Sequence, residues 1–127
     1  MSVSAEYVNS PKYREGIELF NLGKYYDCHE VLEDVWREAP VPEKKFLQGL
    51  IQVAVGLHHY STGNVIGARS LIARGHGNLC RYGERHGGID LASFREQVAA
   101  WTAKVELRCD QDITPTIVLL CSRSSSD

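Results

Sequence analysis

The sequence predicts an all-α fold, in which about five helices form one compact bundle and an extended tail follows at the C-terminus. Apolar residues recur at helical spacing along most of the chain, and N-cap residues and glycines separate these segments from one another. The length of 127 residues, with 43% hydrophobic and 24% charged residues, is typical of one globular domain. We therefore predict a single domain over residues 1–127, with its helical core at about residues 10–108.

The first two predicted helices are separated by a short glycine turn. Ser10 is a good N-cap residue and Pro11 suits the first helical position, so the first helix begins there and ends near the sequence NLG. The second helix runs over about residues 25–38 and ends before the sequence PVP. Because the PVP connection is short, the second and third helices are expected to be antiparallel neighbours.

The third predicted helix covers about residues 43–62 and is apolar on most of its circumference. Gly49 and Gly56 share one direction on this helix, which allows another backbone to come close. Such a helix is either the central helix of the bundle or part of a dimer interface. The exceptions to its apolar character form one narrow polar stripe, which consists of Gln48, Gln52 and His59.

The fourth and fifth helices follow from capping signals. Asn64 can cap the fourth helix, which is predicted to run to about Arg85, where the glycine pair at 87–88 breaks it. Asp90 caps the fifth helix, predicted over about residues 91–108.

The tail, residues 109–127, changes in composition from β-branched to serine-rich. We expect residues 117–120, with the sequence IVLL, to form an extended strip that lies on the bundle or on a partner chain. The last five or six residues, SRSSSD, are expected to be disordered. A homodimer is expected to form either through the glycine face of the third helix or through this apolar strip.

A weak internal repeat has an offset of 40 residues. Residues 20–33 align with residues 60–73, so that an aromatic residue, a turn glycine and a small residue coincide in both units. The small residues are Cys28 and Ala68, which would allow neighbouring helices to approach closely. The pattern resembles the helix-turn-helix units of tetratricopeptide arrays, but two units are fewer than the three or so that a stable solenoid needs. A compact bundle with tetratricopeptide-like hairpins is therefore predicted.

Composition and charge exclude several classes of function. The net charge of −2 and the pI near 6.2 give no basic field for nucleic acid or for an anionic membrane. No basic region followed by an apolar one begins the chain, and no apolar run of about eighteen residues occurs, so a cytoplasmic protein is expected. The four cysteines form no C-x-x-C pair, which argues against structural zinc and favours reduced thiols; they are Cys28, Cys80, Cys109 and Cys121.

The sequence CHEVLEDVW, residues 28–36, contains the main candidate site. At 100° per residue, His29, Glu33 and Trp36 fall on the edge of the core stripe of the second helix. Across the hairpin they would meet the polar stripe of the third helix. We therefore predict a polar pocket between these helices, made of His29, Glu30, Glu33, Trp36, Gln48, Gln52 and His59.

Three interpretations of this cluster remain open. His29 and Glu33 could hydrogen-bond each other and the amides of the third helix as a structural clamp, since buried polar groups require partners. The cluster could instead bind a small ligand or an anion. In the third interpretation, His29 and Glu33 ligate a divalent metal or act as an acid/base pair, although no carboxylate or imidazole pattern of a known metal site is complete. No cofactor is predicted.

A second, weaker candidate is a basic line on the fourth helix, where Arg74, Arg81 and Arg85 align within about 40° on the wheel. Such a line could contact phosphate or RNA. On an acidic chain, however, three arginines are typical of a solvated face, so nucleic acid is not the expected partner.

Two long stretches, FNLGKYYDCHEVLEDVWRE and KKFLQGLIQVAVGLHHYSTGNVIGARSLI, resemble the domain-of-unknown-function family 309, whose members are small, soluble, all-helical proteins. The likeness covers about residues 20–79, roughly half of the chain. The matching motifs are His-Glu-x-x-Glu-x-x-Trp (His29, Glu30, Glu33, Trp36), the block at residues 46–52, His59 and Gly63-Asn64. The resemblance implies a small helical bundle and brings no established activity.

The leading hypothesis is thus a helical scaffold or interaction protein with a polar pocket, which acts as a dimer or on a protein partner. The alternative is a metal-dependent or acid/base hydrolase that uses His29 and Glu33. A weaker alternative is RNA or phosphate binding through Arg74, Arg81 and Arg85.

Overall fold

A computed structural model describes the backbone of residues 3–106 and 114–120, and the side chains of residues 6–106 and 114–120. It confirms the all-α prediction. A short 3-10 helix (Val3–Asn9) is followed by α1 (Pro11–Asn21), α2 (Tyr25–Glu38), α3 (Val41–Ser61), α4 (Val65–Leu79), β1 (Arg85–His86), β2 (Ile89–Asp90) and α5 (Leu91–Glu106). The predicted end of the fifth helix near residue 108, Cys109, Cys121 and the serine-rich end lie outside the described residues.

Helices α1 and α2 form the first hairpin. As predicted, Ser10 caps α1, because its Oγ accepts a hydrogen bond from the backbone N–H of Tyr13 at 3.1 Å. The turn between the helices contains Gly23 in the left-handed region, at φ +81°. The N–H of Lys24 donates to the carbonyl of Leu19 at 2.9 Å, which closes the end of α1 in a glycine-based C-cap.

Helices α3 and α4 form the second hairpin, whose turn repeats this geometry. Gly63 has φ +92°, and the N–H of Asn64 donates to the carbonyl of His59 at 2.8 Å. Helix α3 begins at Val41, two residues earlier than predicted, because a proline such as Pro42 is tolerated in the first turn of a helix.

The glycine face of α3 is in contact with α4 of the same chain. A Cβ placed on Gly56 would lie 2.4 Å from Cγ1 of Ile72, and one on Gly75 would lie 2.7 Å from the carbonyl oxygen of Gly49. The two backbones therefore approach more closely than side chains would allow. Helix α3 is the central helix, and the alternative of a dimer contact through its glycine face is wrong, because α4 occupies that face.

Helix α4 ends at Leu79, six residues before the predicted end near Arg85. Past Leu79 the chain turns, and Nη1 of Arg95 donates to the carbonyls of Leu79, Tyr82 and Gly83, each at 3.2 Å. A guanidinium from α5 thus satisfies carbonyls that the helix end leaves without partners. The prediction was wrong because the sequence around residue 79 does not show that Arg95 of the next helix donates to these carbonyls.

Helix α5 packs across the turn ends of both hairpins. The ring of Phe94 lies 5.5 Å from that of Phe20, edge to face, and the ring of Trp101 lies 5.0 Å from that of Tyr60 in the same manner. Residues 114–120, which we call the strap, then cross the bundle in an extended conformation. Ile117 of the strap is 3% exposed, so this part of the predicted extended tail lies on its own bundle.

Candidate functional site

A groove of about 420 Å³ lies where α2, α3 and α4 meet, and we call it the central groove. Its lining combines a polar rim with apolar side chains. The lining residues are His29, Glu33, Trp36 and Arg37 of α2, Gln48, Ile51, Gln52 and Val55 of α3, and Leu71 of α4. The structure therefore brings together most of the residues that the sequence placed in a polar pocket.

Two of the predicted pocket residues do not line the groove. Glu30 is exposed to solvent on α2. His59 is half-buried at the end of α3, where its carbonyl accepts hydrogen bonds from the turn into α4. The pocket as built is therefore shorter than predicted and ends before the last turn of α3.

The floor of the groove is one face of α3, on which Gln48, Ile51, Gln52 and Val55 recur at helical spacing. Helices α2 and α3 are antiparallel, since Trp36 is near Lys44 at one end and Tyr26 is near His58 at the other. The predicted pocket included only the polar stripe of this face and therefore lacked Ile51 and Val55. The same 100° arithmetic places both of them beside it, so the signal was present in the sequence.

The His29 imidazole is engaged through both of its nitrogens. Nδ1 lies 3.0 Å from the carbonyl oxygen of Tyr26, and since a carbonyl can only accept, Nδ1 carries the proton. Nε2 lies 3.4 Å from Oε2 of Glu33, whose side chain is 44% exposed. A general base needs a nitrogen that is free to reach substrate, and here the carboxylate faces that nitrogen.

The amides of α3 do not complete the predicted clamp. Within the part of the chain that the structure describes, no hydrogen bond joins His29 or Glu33 to Gln48 or Gln52. Instead, Oε1 of Gln52 accepts from Nδ2 of Asn78 on α4, at 2.8 Å. Gln48 has no hydrogen-bond partner among the described residues, and its carboxamide therefore presents donors and an acceptor to the groove.

Trp36 forms the wall of the groove at its α2 end. From the sequence we expected the indole N–H of Trp36 to have a hydrogen-bond partner, but among the described residues its buried Nε1 has no acceptor. Lys44 lies over the indole ring, with Nζ 4.3 Å from the ring centroid. The Lys44 ammonium also donates to the carbonyls of Trp36 and Arg37, and so satisfies the C-terminal end of α2.

A divalent metal at His29 and Glu33 would have two protein ligands. Among the described residues, no group of three or more His, Cys, Asp or Glu side chains is arranged to hold a metal ion, so the remaining ligands would have to come from water or from a bound molecule. The nearest nucleophile in the sequence, Cys28, is fully buried, and burial raises the pKa of its thiol to about 12. The hydrolase alternative therefore gains no support from this geometry.

The basic line predicted on α4 is not continuous. Because the helix ends at Leu79, Arg74 lies on it, Arg81 lies in the following turn, and Arg85 lies in β1. All three side chains are exposed. The wheel alignment that suggested a phosphate or RNA contact assumed a longer helix, and that alignment is wrong.

A second polar cluster, which the sequence did not reveal, surrounds Glu43 at the start of α3. Glu43 is 6% exposed, and its Oε1 accepts from the hydroxyl of Tyr7 at 2.6 Å and lies 2.8 Å from Nε2 of His86. Burial, together with the hydrogen bond to Glu43, raises the pKa of Tyr7 well above its usual range. The cluster fastens the N-terminal 3-10 helix and β1 to α3. Residues so far apart in sequence offered no local pattern.

No helix in the described ranges, 3–106 and 114–120, is long and apolar enough to cross a membrane.

The central segment of the chain matches a known family model. Residues 13–71 match the family model described as "Domain of unknown function (DUF309)". The predicted family resemblance is confirmed. The DUF309 segment contains every residue that lines the central groove, whereas Tyr7 and His86, which hold Glu43, lie outside it.

Two relatives match part of this chain. "Uncharacterized protein YpuF" of Bacillus subtilis (strain 168) is 40% identical over 58 residues, which are 45% of this chain and 33% of the relative. An "Uncharacterized protein" of Aquifex aeolicus (strain VF5) is 29% identical over 96 residues, which are 75% of this chain and 27% of that relative. The chain thus spans a third or less of the length of the relatives it matches.

Proposed function

We propose that this protein is an interaction module and that its central groove binds a short polypeptide segment of a partner. One observation carries the proposal. The groove-facing side of α3, the central helix, is left uncovered between α2 and α4, although the glycine side of the same helix is packed tightly against α4. Concave sites with a few polar groups over an apolar floor are where proteins bind ligands.

The chemistry of the lining suits a peptide. Ile51, Val55 and Leu71 are half-buried apolar residues that would cover the side chain of a bound segment. Beside them, the Gln48 carboxamide offers a donor and an acceptor, which match the N–H and C=O of one peptide group. Glu33 and Arg37 form a charged rim beside His29, and such opposite charges contribute more to the orientation of a bound segment than to its affinity.

The indole N–H of Trp36 supports the same proposal. Buried donors are almost always paired, because an unpaired one costs about 1–3 kcal/mol. The Trp36 side chain lines the groove, its Nε1 is buried without an acceptor among the described residues, and Lys44 lies over one face of the ring. A carbonyl of a bound segment would supply the acceptor that the described residues do not.

The relatives and the two hairpins are consistent with a scaffold role. Because the matched regions make up 33% and 27% of the two relatives, the domain occurs as one part of longer chains. We further propose that the paired hairpins work as a minimal tetratricopeptide-like unit, since helical hairpins packed side by side create grooves for peptides. Among the described residues Cys28 and Cys80 are free thiols, which fits a reducing compartment such as the cytoplasm.

Selection from a random peptide library tests this function. We expect enriched peptides that bind the wild-type protein with a Kd in the micromolar range, and Trp36→Phe should weaken them about tenfold, because it keeps an aromatic ring but removes the N–H. The matched control is Trp101→Phe, since Trp101 also has a buried Nε1 without an acceptor among the described residues but lies on α5. This control should leave the affinity unchanged.

The proposal is wrong if no peptide is enriched over an unrelated helical protein. It is equally wrong if the selected peptides bind Trp36→Phe and Gln48→Ala as tightly as they bind the wild type.

A further inference from the structure

The strap, residues 114–120, is held at a second site, whose residues are not among those that line the central groove. At this strap site, two side-chain amides form paired hydrogen bonds with the backbone of two consecutive strap residues. Asn21 donates from Nδ2 to the carbonyl of Ile117 at 2.8 Å, and its Oδ1 accepts from the N–H of Ile117 at 2.7 Å. Gln97 pairs in the same way with Thr116, at 3.1 Å and 3.0 Å.

The edge of β2 continues this recognition. The N–H of Asp90 donates to the carbonyl of Val118 at 3.0 Å, and the N–H of Leu120 donates to the carbonyl of Gly88 at 2.7 Å. Ile89 and Leu119 form the corresponding antiparallel bridge. The strap is therefore bound as an added strand, the mode by which many domains bind extended peptides.

Ile117 is the main anchor of the strap. It is 3% exposed and belongs to the main hydrophobic core, Pro115 is also buried, and Leu119 packs against the core, whereas Val118 is 51% exposed. The site thus requires an extended backbone with apolar side chains at alternate positions. None of these requirements depends on the covalent connection between α5 and the strap, so a strap from another chain could meet them.

We propose that the strap site also accepts the strap of a second copy of this chain, which gives a strand-exchanged dimer in which each copy supplies Ile117 to the core of the other. A second copy is the best-matched partner, because mutual exchange remakes every strap contact once in each copy. Residues 107–113 connect α5 to the strap, and a chain of that length reaches up to about 25 Å when extended. In its own chain the strap has an effective concentration in the millimolar range, so the dimer forms at high protein concentration.

Complementation between two full-length variants tests this dimer. Ile117→Asp removes the anchor from the strap but keeps the strap site, and the double variant Asn21→Ala, Gln97→Ala weakens the strap site but keeps the strap. After mixing at high concentration, we expect a mixed dimer by size-exclusion chromatography and mass spectrometry, at about ten times the dimer level of either variant alone. Wild-type protein at the same concentration should dimerise as well.

The inference is overturned if both variants are folded by circular dichroism and no mixed dimer forms. It is also overturned if each variant dimerises alone as the wild type does, which would place the contact elsewhere. If Ile117→Asp is not folded, Ile117→Ala takes its place, because it weakens the anchor without burying a charge.

Discussion

The two hairpins of this protein share a scaffold and differ in what the scaffold presents. Each has a left-handed glycine in its turn, Gly23 or Gly63, and each packs a glycine of its first helix against an aliphatic side chain of its second. A Cβ on Gly16 would lie 2.5 Å from Cδ2 of Leu32, and one on Gly56 would lie 2.4 Å from Cγ1 of Ile72. All of these positions are related by the offset of 40 residues found in the sequence.

The hairpins differ at a close backbone contact and along the groove. The second hairpin has an additional close backbone contact, between Gly49 and Gly75, where the first has Val35 at the position that corresponds to Gly75. On α2, His29 and Glu33 line the central groove, while the corresponding residues of α4, Arg69 and Ala73, are exposed. The comparison indicates that the repeat builds the scaffold and that the positions where the two units diverge carry the candidate site.

The largest expected effect on stability comes from a comparison of Phe20→Ala with Tyr60→Ala, which tests whether the turn ends of the two hairpins are held in the same way. Phe20 is 1% exposed against Phe94, and its truncation should lower the free energy of unfolding by about 3–5 kcal/mol. Tyr60 is half-buried against Trp101, so its truncation should cost about 2 kcal/mol. Urea unfolding measures both. Equal losses would show that α5 holds the two turn ends alike and would break the comparison.

A smaller effect should distinguish two glycines of α4. Gly75→Ala places a Cβ 2.7 Å from a backbone oxygen, which cannot rotate away, and should destabilise the protein by about 1–3 kcal/mol. The control is Gly77→Ala, since nothing lies within 4 Å of that Cβ. This control should stabilise the helix by up to about 1 kcal/mol. If thermal melts place both variants on the same side of the wild type, the close α3–α4 contact is not what holds the second hairpin.

The smallest expected effect on stability distinguishes a binding site at His29 and Glu33 from a structural clamp made by the same residues. Glu33→Gln removes the negative charge beside His29, and Arg69→Gln removes the positive charge that pairs with Glu106 at 3.3 Å. The side chains of the first pair are 20% and 44% exposed and those of the second 49% and 51%, so each change should alter stability by less than about 0.5 kcal/mol. Only Glu33→Gln should alter the affinity of groove-binding peptides, by about fivefold. A clear drop in the melting temperature of Glu33→Gln, with unchanged peptide affinity, would favour the structural clamp.

Much of the fold was predictable because its signals are local. The cap at Ser10, the turn at Gly23 and the burial of Cys28 each depend on residues within a few positions of one another. The end of α4 was not predictable, because it depends on Arg95 from the next helix. The buried Glu43 was not predictable either, because its partner His86 is 43 residues away.

The candidate site was partly predictable for the same reason. Helical periodicity placed His29 and Glu33 on the edge of α2, and Gln48 and Gln52 on one stripe of α3, so their meeting required only that the two helices be neighbours. Their actual bonding differs, because Asn78 of α4 takes Gln52 as its partner. This hydrogen bond depends on the position of α4, which the sequences of α2 and α3 do not determine.

The sequence by itself determined the five helices, the repeated glycine turns and the apolar faces, because these follow from the chemistry of residues one or two helical turns apart. Only the tertiary structure decided that α4 covers the glycine face of α3, that the opposite groove stays open and that the strap returns to pair with Asn21. Those outcomes depend on which distant surfaces meet, and the free energy of such contacts is defined only when both partners are in place.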